Sequence, residues 1–205
     1  RIIVAEFEEV NEDFMSLHAQ ISGPLTISIP RDFGLNYLKQ KLFKFQEKYP
    51  KIKLSIDFDD RFVDLETENY DFAIRITAQT DNKLVSKCIG KIRRYLCASS
   101  TYLHLNGTPH SLEDLQKLSL LHYGTTKRGN WTFQTSDRKE KSITYSPVIS
   151  SNSGQFLSDA ALNSVGISML PDFIADKYIE KGLLKVILPQ FSLLPLEIYL
   201  THLGS

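Results

Sequence analysis

The stretch GPLTISIPRDFGLNYLKQKLFKFQEKYPKIKLSIDFDDRFVDLETENYDFAIRI, Gly23 to Ile76, decides the fold. Leu25, Ile27 and Ile29 alternate with Thr26 and Ser28, which is the period of a strand, and Pro30 closes it. Leu35, Leu38, Leu42, Phe45 and Tyr49 then recur at helical spacing, with Lys39, Lys41, Lys44 and Lys48 off that face. Asp32 precedes this helix where a cap is wanted, and Pro50 stops it. Ile52, Leu54, Ile56 and Phe58 alternate again, a short charged segment reads as a short helix, and Phe72 to Ile76 reads as a more buried strand. Strand, helix, strand, short helix, strand predicts right-handed crossovers on a parallel sheet, the start of a ligand-binding α/β lobe.

Upstream, residues 1–22 form a separate pattern. Ile3, Phe7, Val10, Phe14, Leu17 and Ile21 step by four and three, placing all six on one narrow stripe. Such a stripe fits a coiled-coil seam pairing with another subunit, or an amphipathic helix packed on its own domain. Downstream, strands are expected at Tyr95 to Ala98, Leu120 to Tyr123, Trp131 to Phe133, Ile143 to Ile149, Gly166 to Leu170, Leu184 to Leu188 and Leu196 to Leu200. Ser111-Leu112-Glu113-Asp114 starts a helix, Gly154 to Val165 is a second, and Pro171 to Lys181 is a third, closed by Gly182. These elements suffice for a second small α/β lobe.

Composition narrows the function. The 205 residues, 42% of them apolar, can bury one substantial core or two small ones, and 24 basic residues balance 24 acidic ones. A chain without basic excess is a poor nucleic-acid binder taken alone, which favours a small-molecule or protein partner. No run is long and apolar enough for a bilayer span, and acidic residues near the N-terminus do not fit a signal peptide, so a cytoplasmic protein without membrane association is expected. Cys88 and Cys97 lie in apolar strand-like runs and read as core hydrophobes in a reducing compartment, with a redox pair as the alternative.

Catalytic constellations are missing from the pattern. The sequence has no glycine-rich phosphate loop, no His-Glu-x-x-His, no nucleophile elbow and no Cys-x-x-Cys. His18, His104, His110, His122 and His202 lack metal-ligand spacing; Asp57, Asp59, Asp60 and Asp64 read as a solvated acidic turn, and Lys87, Lys91, Arg93 and Arg94 as a solvated basic face. No enzyme, metal or cofactor is expected. Two turns suit binding instead, because each joins a strand to a helix N-terminus with free amides: Pro30-Arg31-Asp32-Phe33-Gly34 and Ser150-Ser151-Asn152-Ser153-Gly154.

Several segments resemble the effector-binding domain of LysR-type transcriptional regulators, over almost the whole chain. They are Gly23 to Pro30, Phe45-Gln46-Glu47-Lys48-Tyr49-Pro50, Asp60-Arg61-Phe62-Val63-Asp64-Leu65 and Tyr70 to Ile76, then Leu96-Cys97-Ala98-Ser99, Gly107-Thr108-Pro109 and Gly166 to Phe173. The Asp60 to Leu65 run is typical of the branch containing CrgA-like regulators. The resemblance implies an α/β fold like the type II periplasmic binding proteins, with two Rossmann-like lobes and an effector cleft between them. Residues 1–22 would end a dimerising linker helix, residues 23–93 with 193–205 would form the first lobe, and residues 94–192 the second. A winged helix-turn-helix domain should precede Arg1, DNA being contacted only through it, and the domain should form a homodimer or homotetramer. Relatives usually continue beyond the position of Ser205 into a helix closing the first lobe.

Carried onto this sequence, the resemblance places the effector against Arg31, Asp32 and Phe33, against Thr77, Ala78 and Gln79, and against Asn152, Ser153 and Gly154. Many relatives have Ser or Thr where Asp32 stands. An ionised aspartate there repels anions, so the effector is expected to be neutral or cationic, or to have its charge met by Arg31. Thr77 replaces a common glycine and is expected to narrow the cleft. A solute-binding protein of a transport system, which shares the fold, is the alternative reading.

Overall fold

The computed structural model describes residues 21–77, 85–135 and 139–203. The predicted linker helix therefore lies outside the described residues, with Ile3, Phe7, Val10, Phe14 and Leu17, as do Ala78 and Gln79. Ile21 is described and half-buried. The chain divides into two compact units, Arg1–Lys91 with Leu196–Ser205, and Ile92–Pro195.

Unit 1 is built on a five-stranded sheet. Strands β1 (Gly23–Ile29), β2 (Ile52–Phe58), β3 (Phe72–Thr77) and β4 (Val85–Ile92) are joined by the late strand β13 (Leu196–His202), in the order β2-β1-β3-β13-β4. β1 runs parallel to β2 and β3, as a crossover requires, but β13 pairs antiparallel with β3, so the sheet is mixed rather than parallel. Between β2 and β3 the expected short helix is absent. The chain makes turns instead, because the Asp64 carboxylate accepts from the Glu66 and Thr67 N–H groups and Asn69 is left-handed at φ 56°. Buried Leu65 anchors this segment.

The first helical segment runs through α1 (Arg31–Phe33), a π-helical turn (Gly34–Leu38) and α2 (Lys39–Lys48). One extra residue per turn resets the helix phase. Phe33 and Leu38, five apart, are both buried, whereas Leu35 of the predicted face is 44% exposed. Gly34 allows the turn to sit against the sheet: a Cβ there would lie 2.4 Å from Phe58 Cε1 and 3.2 Å from Ile29 Cγ2. Beyond the turn no α2 residue is buried, and Phe43 is 61% exposed.

Unit 2 covers its sheet on both faces. Strand β5 (Arg94–Ser99) is followed by α3 (Ser100–Asn106), α4 (Leu112–Leu115), β6 (Leu120–Tyr123), β7 (Gly129–Gln134), β8 (Glu140–Tyr145), β9 (Ile149–Ser151) and α5 (Gly154–Leu162). Then come β10 (Ile167–Pro171), α6 (Asp172–Ile179), β11 (Leu184–Val186) and β12 (Ser192–Leu193). The five-stranded sheet has the order β11-β5-β10-β6-β9, and β12-β7-β8 make a separate antiparallel sheet. Leu96 and Ala98 join Leu120, Trp131, Phe133 and Tyr145 in one cluster, while Cys97 and Leu121 join Leu157, Ala161 and Ala175 in another. Adjacent residues of one strand feed opposite faces, which is why these strands read as continuous apolar runs.

Three expectations for unit 2 need correction. The strand expected over Ile143 to Ile149 is two strands in different sheets, because Pro147 lies between them and cannot donate to a ladder. Helix α3 was not anticipated; Ser99 caps it by accepting from Tyr102 N–H at 3.1 Å. The basic run is not simply solvated: Arg94 is half-buried and donates to the Leu194 carbonyl at 2.7 Å, and Arg93 pairs with Asp172 at 3.6 Å. In unit 1, Lys91 pairs with Glu197 at 3.3 Å. Of the two free cysteines, Cys97 is a core thiol whose pKa burial pushes up to about 12, but Cys88 is exposed.

Candidate functional site: two strand-to-helix turns

In unit 1 the site residues are assembled by sheet register. Parallel pairing sets Ile29 opposite Phe58, and the Asp59 N–H donates to the Ile29 carbonyl at 3.0 Å. Asp59 and Asp60 therefore leave β2 beside Pro30 and Arg31, where the helix begins. Asp32 is not the cap. Pro30 occupies that position without a side-chain bond, and Asp32 lies in the first turn, its carbonyl accepting from the Asn36 amide at 2.9 Å.

A carboxyl from the segment just after β2 lies near the helix start: Asp60 is half-buried and feels the charges of Asp32 and Arg31. Burial pushes its carboxyl above the ordinary range, the negative charges of Asp32 and Asp59 add to this, and the Arg31 charge opposes it. Sequence reading had taken Asp60 for part of a solvated acidic turn. The signal that could have found it is its position two residues after a strand pairing in parallel with β1.

The Asp60 to Leu65 run folds into an ionic knot. Arg61 Nε donates to Asp59 at 2.7 Å, Nη1 donates to Glu68 at 2.8 Å, and Nη2 donates to the same carboxylate. Glu68 also accepts from the Asp64 N–H at 3.0 Å. Chiefly through the Arg61 side chain, the Glu68 carboxyl is held at about 2. Asp59 is held below its usual value, first by the Arg61 N–H at 3.0 Å. Tyr70 donates to Asp57 at 2.5 Å, which raises its phenol pKa.

Beneath lies Arg75, only 5% exposed, donating to Ser28 Oγ at 2.8 Å and to the Ile74 carbonyl at 2.6 Å. Its Nε has no hydrogen-bond partner among the described residues, and Asp59 and Asp60 attract it without a contact ion pair. Phe33 is buried and stacked on Tyr37, ring centroids 5.1 Å apart, and Thr77 ends β3 half-buried opposite Glu197. The carboxylates do not converge: no group of three His, Cys, Asp or Glu suited to a metal occurs among the described residues.

Unit 2 builds its turn from hydroxyls. Ser151 Oγ accepts from the Ser153 N–H at 3.1 Å, and Ser153 Oγ accepts from the Phe156 N–H at 3.2 Å, capping α5. Asn152 is exposed, Ser153 half-buried and Gly154 buried. A second segment, Gly124–Arg128, is bonded to this turn. The Gly124 N–H donates to the Ser151 carbonyl at 2.9 Å and Ser150 Oγ donates to the Thr126 carbonyl at 3.3 Å. His122 sits between Tyr145 and Thr126, its Nδ1 3.1 Å from the phenol oxygen and its Nε2 3.0 Å from Thr126 Oγ1. Burial lowers its pKa. By sequence His122 is one of five scattered histidines without metal-ligand spacing; its partners are 4 and 23 residues away.

Residues 18–204 match the family described as the LysR substrate binding domain. The chain is similar to an uncharacterised HTH-type transcriptional regulator of Haemophilus influenzae, 35% identical over 201 residues, covering 98% of this chain and 69% of that protein. CrgA, a LysR-type transcriptional regulator from Neisseria meningitidis, superposes with a TM-score of 0.82 at 26% identity, covering 98% of this chain and 69% of that one. The isolated CrgA regulatory domain superposes with a TM-score of 0.76 at 26% identity, covering 90% of each chain. No helix among the described residues is long and apolar enough to cross a membrane. The chain belongs to the LysR substrate-binding-domain family, as the effector-binding regulatory domain of a LysR-type transcriptional regulator, a family of regulators and not of enzymes.

Proposed function

We propose that this domain recognises a small-molecule effector that is neutral or cationic where it meets the Pro30–Phe33 turn, and that binding controls a DNA-binding domain of the parent regulator. One observation carries the charge preference: the half-buried Asp60 carboxyl lies near the start of the helix, close enough to Asp32 for the two charges to act on each other. An incoming carboxylate would meet two acidic groups where many relatives offer a hydroxyl, with Arg31 and the buried Arg75 as the opposing charges. Arg31, Asp32, Phe33, Thr77, Ala78 and Gln79 form the unit 1 contacts, and Asn152, Ser153 and Gly154 the unit 2 contacts. The effector acts by its differential affinity for two arrangements of the regulator. The Ile3, Phe7, Val10, Phe14, Leu17 and Ile21 stripe pairs subunits into a homodimer or homotetramer in the cytoplasm.

Calorimetric screening of carboxylates, amines and neutral polar compounds against wild type and Asp32→Ser tests the charge preference. The expected result is that wild type rejects carboxylates and Asp32→Ser admits them. Tight carboxylate binding by wild type that Arg31→Ala leaves intact overturns it. Light scattering on the chain tests the stripe, where a monomer at high concentration counts against subunit pairing.

A further inference from the structure

The proton directions around His122 are fixed by its neighbours. Thr126 Oγ1 lies 2.8 Å from the Arg128 carbonyl, which has no proton, so the threonine hydroxyl donates there. With its proton committed, that oxygen accepts from His122, and Nε2 carries the ring hydrogen. Nδ1 of the neutral ring is then an acceptor, and the Tyr145 hydroxyl donates to it. The chain runs one way: Tyr145 to His122 to Thr126 to the Arg128 carbonyl.

This relay has no slack. Tyr145 is 7% exposed, its ring centroid is 4.5 Å from that of Trp131, and a Cβ on Gly129 would lie 2.3 Å from Tyr145 Cζ. A Cβ on Gly124 would lie 3.2 Å from His122 Nε2. The groups facing the ring are the uncharged Tyr145 and Thr126 hydroxyls. Strands β7, β9 and β10 carry no charged residue, and Glu140, Lys141, Lys127 and Arg128 are all exposed. Burial lowers the ring's pKa, and a hydroxyl donating to Nδ1 acts in the same direction.

We propose that neutral His122, as its Nε2–H tautomer, is a positioning residue that fixes Thr126, and through it the Gly124–Arg128 segment, against the Ser150–Gly154 turn. The inference rests on the reading that this turn contacts the effector, but its geometry is testable without one. Protonating Nδ1 turns that acceptor into a donor, so the Tyr145 hydroxyl must surrender its acceptor while remaining buried. Protonation leaves the Nε2–H bond to Thr126 in place, so it reaches the segment by shifting the ring away from the Tyr145 hydroxyl.

Nitrogen-15 spectra of the histidine ring and amide exchange of Gly124–Arg128, followed against pH on the whole chain, test this. Expected are the Nε2–H tautomer at neutral pH, a midpoint below 6.5, and Thr126 and Ser150 signals that move with that midpoint. Tyr145→Phe removes the donor to Nδ1 and should raise the midpoint. His122→Gln, which can still donate to Thr126, should keep the segment protected with a flat pH profile. His122→Phe should speed segment exchange about fivefold, the loss of one ordinary hydrogen bond. An Nδ1–H tautomer, a midpoint indifferent to Tyr145→Phe, or unchanged exchange in His122→Phe overturns the proposal. Effector binding that misses the Ser150–Gly154 turn would overturn the functional reading while leaving these results intact.

Discussion

Unit 1 and unit 2 both pass from a strand through a short turn into a helix, yet they hold that turn by different physics. In unit 1 the first turn has no side-chain cap, its helix beyond the π-helical turn has no fully buried residue, and a half-buried carboxyl from the segment after β2 lies near the turn. In unit 2 the turn caps itself with Ser151 and Ser153, a neutral relay braces it, and both faces of the sheet are covered. Charge at a half-buried turn is selective toward ligands and sensitive to pH. Hydroxyls set a shape and leave ligand charge undecided.

The largest test of that contrast lies in the cores. Phe133→Ala in unit 2, where the side chain is fully buried, should cost about 3–5 kcal/mol in urea unfolding. Phe43→Ala on the unit 1 helix should stay within about 0.5 kcal/mol. A comparable loss from both would mean the unit 1 helix is covered in solution.

Next come the two close glycines. Gly129→Ala drives a Cβ into buried Tyr145 and should cost about 1–3 kcal/mol by thermal unfolding. Gly34→Ala meets Phe58, which is 36% exposed and free to swing aside, and should cost less. Equal costs would show that the π-helical turn is held as tightly as the relay.

The caps sharpen the comparison further. Ser153→Ala should lose about 1 kcal/mol because Phe156 N–H loses its acceptor. Asp32→Ala, in the first turn rather than at the cap position, should cost less than Ser153→Ala. Calorimetric melting of both variants checks this, and a loss of cap size at Asp32 would contradict the cap assignment.

The smallest effects are in pH. Asp60 has a folded pKa above its unfolded value near 3.8, so the native state holds the extra proton and stability falls as pH rises through that window. Asp60→Asn should match wild type in acid and be the more stable of the two above the window. Glu68 has the opposite sign. Its folded value of about 2 lies below the unfolded 4.5, so its contribution is present above 4.5 and lost as pH falls toward 2. Glu68→Gln should be the weaker protein at neutral pH and equal to wild type near pH 2. Profiles of the same sign would undo the assignment of burial to one carboxylate and ion pairing to the other.

Much of the framework was legible. β1, β2 and β3 follow from alternation between Gly23 and Ile76, Pro50 stands just past α2, and the Pro171 and Gly182 signals bracket α6, with Gly182 at φ 68°. What escaped reading depended on partners far along the chain. The split of β8 from β9 follows from which sheet each joins; the unit 1 sheet is mixed through the antiparallel return of β13, and the unit 2 sheet through β5, which runs antiparallel to β10 and β11. At the candidate site, the cap position that the sequence suggests for Asp32 belongs to Pro30, and neither the charges around Asp60 nor the two hydroxyls flanking His122 can be read from local sequence.

By itself, the sequence determined β1, β2 and β3, the helix between the first two, the stops of that helix and of α6, and the family, because periodicity, Pro and Gly stops and contiguous motifs are local properties. Tertiary structure alone decided which acidic groups crowd the helix start, where the helix changes phase against Phe58, and which hydroxyls flank His122. Those outcomes depend on register and close approach between segments that only folding brings together.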